Sequence, residues 1–116
     1  MKKYSLEKYL LDPGQKIAKR IVYTDDNVLA FVLNIASEES LPKHTHFDST
    51  VLLQVLSGKG NVVVDGKTVS VVENDLVQLD GPEEMSVDNT GDKTLSLYVS
   101  ISPIPPSDKY TVDVDF

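Results

Sequence analysis

The stretch TLSLYVSIS, residues 94–102, alternates without a break. Leu95, Leu97, Val99 and Ile101 fall on one side, and Thr94, Ser96, Tyr98 and Ser100 on the other. A period of two with one apolar side is the pattern of a half-buried β-strand and does not fit the 3.6-residue repeat of a helix. In NVVVDGKTVSVV, residues 61–72, Asp65-Gly66 stands between two β-branched runs. Asp-Gly supplies the positive φ angles that a two-residue hairpin turn needs. The same reasoning predicts strands over about 19–24, 28–36, 51–56, 76–79 and 85–89. YTDDNV, NTGDK and SGKG read as three further hairpin turns. SLEKYLL, near the N-terminus, has room for one helical turn. Many short antiparallel strands without long helices define an all-β chain, a sandwich or a barrel, and the need to protect strand edges favours closure.

At 116 residues the chain has the length of one domain, 1–116, with the barrel core expected over about 19–102. SPIPPSDK then breaks strand pairing, because proline donates no ladder hydrogen bond. After it, Tyr110, Val112, Val114 and Phe116 alternate with Thr111, Asp113 and Asp115. That alternation predicts an edge strand over about 110–116, docked on its own barrel or on that of a second copy. Exchange of such an arm is an easy route to a homodimer, the assembly expected here.

The formal net charge is -7 and the pI about 4.6. Such a surface repels phosphate backbones and anionic lipids, so neither a nucleic acid nor a membrane is an expected partner. There is no cysteine, which excludes disulfides, thiolate nucleophiles and cysteine zinc sites. Lys2 and Lys3 open the chain, but Glu7 and Lys8 interrupt what would be the apolar part of a secretion signal. A cytoplasmic location is the expectation.

The two histidines, His44 and His46, both lie in LPKHTHFDST. On a strand, residues two apart share a side, so both imidazoles would enter one volume. Imidazole suits Fe, Ni, Cu and Zn. A pair of ordinary hydrogen-bonded histidines at a strand mouth is the competing reading. No phosphate loop or dinucleotide fingerprint is present, and SGKG lacks the required context. Ser49 and His46 could formally join an acidic residue in a triad, but nothing specifies it. The carboxylate pairs in TDDN and PEEM lie in turns, where charge is normally solvated.

HTH followed by an apolar strand ending in VLSG, and then NDLVQLDGPEEMSVDN, resembles the two motifs of the cupin superfamily over roughly residues 30–102. His44, His46 and Gly58 match the first motif, while Glu38 replaces its opening glycine and Val51 its glutamate. Gly81 and Asn89 fit the second. There Asn74 and Pro82 replace glycines, Asp80 a proline and Met85 the last histidine. The resemblance implies a double-stranded β-helix, or jelly-roll barrel, with a divalent transition metal (Fe, Ni, Cu, Zn or Mn) held at one end. It carries His44 and His46 over as metal ligands and loses the other two. Val51 cannot coordinate, and Met85 offers only a soft thioether. Asp48, Thr50, Glu83 and Glu84 are the nearby candidates for a replacement.

Two functions follow. One is a metal-dependent activity on a small molecule, like that of cupin dioxygenases or isomerases. The other is a metal-free binding or sensor module, with Val51, Leu53 and Met85 lining an apolar ligand pocket near Phe47. Acid–base catalysis by one histidine is a third version, for which no catalytic residue can be named from the sequence.

Overall fold

A computed structural model describes residues 1–46, 48–104 and 111–116. Among the described residues, ten strands form two antiparallel sheets, as the alternating pattern predicts. The first sheet contains β1 (Ile17–Thr24), β2 (Leu29–Ile35), β4 (Thr50–Ser57), β7 (Leu76–Leu79), β9 (Leu95–Ser102) and β10 (Val114–Asp115), in the order β10-β1-β2-β9-β4-β7. The second contains β3 (Ser40–His44), β5 (Lys59–Val64), β6 (Lys67–Val72) and β8 (Met85–Asn89), in the order β3-β8-β5-β6. Between them lies one apolar core, to which the alternating residues of β9, Leu95, Leu97, Val99 and Ile101, contribute one side. This is the double-stranded β-helix expected from the sequence.

Local chemistry sets the turns. Asp65 and Gly66 take φ of 49° and 82°, and β5 and β6 pair on either side of them. In the β1–β2 hairpin, the Asp25 carboxylate accepts the backbone N–H groups of Asn27 and Val28 at 2.8 and 2.9 Å. SGKG and NTGDK are not hairpin turns. Each joins a strand of the first sheet to a strand of the second, β4 to β5 and β8 to β9. Gly58 makes the first crossing possible. Its φ is +88°, and an added Cβ would lie 2.6 Å from the Thr94 carbonyl oxygen. The buried Asn89 braces the second crossing. Its amide donates to the carbonyls of Ile35 and Lys93 at 2.9 and 2.8 Å, and its oxygen accepts the Gly91 N–H at 2.9 Å.

The N-terminal helical turn is a 3-10 helix, Leu6–Tyr9. The segment it belongs to is tied to the first sheet through Asn34. The Asn34 amide donates to the Tyr9 carbonyl at 3.0 Å, while its oxygen accepts from the Leu11 N–H and the Ser96 hydroxyl. Asn34 is completely buried with these partners, so its polar atoms are satisfied. Among the described residues, no helix is long and apolar enough to cross a membrane.

The last strand is shorter than expected, and Tyr110 lies outside the described residues. It pairs with β1 of the same chain, Lys19 opposite Val114 and Ala18 opposite Asp115. Phe116 extends the ladder through backbone hydrogen bonds with Ile17. Arg20 and Asp115 add an ion pair at 2.6 Å.

Candidate functional site

Among the described residues, five strands, β1, β2, β3, β9 and β10, together with His46 and Phe116 line an open cavity of about 300 Å³. Phe31 and Leu33 of β2 and Ile101 of β9 supply inner walls, and Leu41 and Pro42 of β3 supply another side. Val114 and Phe116, from the end of the chain, complete the apolar lining. The remaining wall residues are Lys19, Lys43, His44 and His46. Among the described residues, then, every titratable group of the wall is a base.

His44 and His46 come together, but not by strand parity. β3 ends at His44, and His46 lies past it in the connection to β4. The His46 backbone N–H donates to the Gly81 carbonyl at 3.0 Å, which fixes that connection. The two rings meet edge-on with centroids 4.6 Å apart. His44 Nδ1 lies 2.8 Å from the Pro42 carbonyl oxygen. A carbonyl can only accept, so Nδ1 carries the proton and Nε2 is the remaining nitrogen. Burial, the neighbouring His44 and the Lys19 charge push the His46 pKa down to about 4. His46 is therefore a neutral imidazole near neutral pH.

Sequence reasoning missed Lys19. In register it stands between Leu33 of β2 and Val114 of β10, in a row on the inner face of the sheet. Only 9% of its surface is exposed. Its ammonium lies 4.7 Å from the centre of the Phe31 ring, whose negative face favours a cation. Burial lowers its pKa, and the Asp113 carboxylate opposes that shift. The signal was available: Lys19 shares strand parity with Ile17 and Ile21, on the side that is apolar elsewhere in β1.

The other residues expected at a site lie elsewhere. Val51, Leu53 and Met85 are core side chains, exposed by 0%, 1% and 3%, and none of them lines this cavity. Met85 faces His44 across the β3–β8 ladder, so the position of the family's last histidine does adjoin the pair. Asp48, Thr50 and Glu84 lie outside the cavity wall. Glu83 accepts the Asp80 N–H at 2.7 Å within its own turn. The Ser49 hydroxyl donates to the Pro103 carbonyl at 2.8 Å, which gives it a structural partner instead of His46. Phe47 lies outside the described residues.

Among the described residues, no three histidine or acidic side chains gather as a metal would require. A catalytic zinc usually takes three protein ligands, and a structural one four. The two imidazoles therefore do not fit the four-ligand metal site of the family.

The fold and the motif positions define a cupin barrel, and comparison with known proteins agrees. The Cupin domain family profile matches residues 31–101. That is more than half of the chain, which belongs to the cupin family. Among solved structures it is similar to the TT1209 protein of Thermus thermophilus, with a TM-score of 0.83, 18% identity and coverage of 89% of this chain and 98% of that one. A predicted oxalate decarboxylase from Thermotoga maritima gives a TM-score of 0.71 at 20% identity, covering 76% and 81% of the two chains. KdgF from a Halomonas species gives 0.71 at 16% identity, covering 85% and 89%. At these identities the likeness is one of fold. No match was found among curated proteins.

Proposed function

We propose that this cupin binds a small, largely apolar molecule in the cavity beside His44 and His46, without a resident metal. The observation that carries the reading is the composition of the wall among the described residues: apolar side chains from β2, β3, β9 and the chain end, with Lys19, Lys43 and the imidazole pair as its charged or titratable members. A volume of about 300 Å³ is at the small end of the range for ligand pockets. The competing reading is a metal-dependent, dioxygenase- or isomerase-like enzyme. It is supported by the close approach of two imidazoles and opposed by the lack of a third ligand among the described residues.

Calorimetric titration with neutral phenylbutyramide, in the presence of a chelator, tests the first reading. At about 0.3 kcal/mol per non-hydrogen atom, a probe of about a dozen atoms binds with a Kd near millimolar. Binding is expected in the unmodified protein and not in Leu41→Trp, which fills the cavity from its rim. Absence of binding by this probe and by its charged relatives would overturn the cavity reading. About one metal per chain in tag-free protein, lost in a His44→Ala/His46→Ala variant, would establish the competing one.

A further inference from the structure

We infer that the ligand is an organic anion, a small carboxylate on an apolar body, with its charged end against Lys19 and the imidazole pair. The inference rests on the small-molecule reading above and adds the charge of the ligand. The chain has 18 acidic residues against 11 basic ones, yet Lys19, Lys43, His44 and His46 are the titratable groups of the described wall. That polarity runs opposite to the molecule as a whole. The Lys19 side chain, packed against the Phe31 ring, brings a positive charge into the wall at a place where solvent screens it less than at the open surface.

The neighbours of Lys19 agree. Its cross-strand partners Leu33 and Val114 are apolar. Asp113, the acid that acts on it, also accepts the Ile21 backbone N–H at 2.6 Å and is not part of the cavity lining. A bound carboxylate would gain a charge-assisted hydrogen bond from Lys19 and an N–H from the neutral His46 ring. A cationic ligand would meet two lysines with no described carboxylate in the wall. A polyol would leave most of its hydroxyls against Phe31, Leu33, Leu41 and Ile101 without partners.

The test uses three probes with one apolar body: phenylbutyrate, phenylbutyramide and phenylbutylamine, titrated calorimetrically into the full chain with a chelator present. The carboxylate is expected to bind about tenfold more tightly than the amide, the gain of one charge-assisted hydrogen bond, and the ammonium most weakly. In Lys19→Met, which keeps the volume of the side chain, the carboxylate falls to the affinity of the amide while the amide is unchanged. An amide or ammonium that binds as well as the carboxylate to the unmodified protein overturns the inference and leaves the cavity reading intact. Failure of all three removes both. The comparison of head groups needs no variant, so it stands even if Lys19→Met does not fold.

Discussion

At Glu38 the backbone has φ of 68°, and at Asn74 it has 76°. These are the two places where the cupin motifs open with glycine. Both residues thus hold the left-handed conformation that glycine adopts freely, with a side chain in its place. The two replacements are unequal. Asparagine tolerates this conformation, whereas glutamate carries a Cβ penalty of roughly 1 kcal/mol. Glu38→Gly is therefore expected to stabilise the fold by up to about 1 kcal/mol, and Asn74→Gly by less, in denaturant titrations. Destabilisation by Glu38→Gly would show that the glutamate side chain contributes something its backbone geometry conceals. His46 gives a second prediction at this scale. Its pKa falls from 6.5 to about 4 on folding, so the unfolded chain takes up a proton that the folded chain refuses. Its contribution is complete above 6.5 and is lost as pH drops towards 4. Unfolding free energies at about pH 7 and about pH 5 should differ more for the unmodified protein than for His46→Gln.

Among the elements, the C-terminal segment has the most local role. Val114 and Phe116 are part of the cavity wall, and β10 covers the free edge of β1. The central core contains neither residue. Removal of residues 113–116 should therefore leave the circular dichroism spectrum of a folded β-protein while weakening phenylbutyrate binding and speeding its release. An unchanged affinity would show that these residues do not close the site. The alternation at this end was legible in the sequence, but its extent was not. Val112 is 51% exposed although it shares parity with Val114. A period of two states which residues share a face and not where pairing stops. SGKG and NTGDK show the same limit. Turn chemistry announces a reversal of the chain, and whether the next strand returns to the same sheet or crosses to the other depends on contacts such as Gly58 against Thr94.

For the whole molecule, the barrel was legible because alternation, turn chemistry and motif spacing all pointed to one architecture. The site was less so. The motif drew attention to the β4 and β8 positions Val51 and Met85, which pack in the core. The charged wall residue comes instead from β1, outside the motifs, and its partners on β2 and β10 are brought to it only by pairing. An inward lysine on an apolar face is the sequence signal that marks such a place. The central claim is that this wall, and no metal, receives the ligand. The most direct measurement is an NMR titration of isotope-labelled protein with phenylbutyrate in the presence of a chelator, following the methyl groups of the chain. Shifts confined to Leu33, Leu41, Ile101 and Val114 are the expected result. Shifts centred instead on the exposed outer side chains Leu52 and Leu76, or shifts at the cavity that arise only when the chelator is left out, would contradict it.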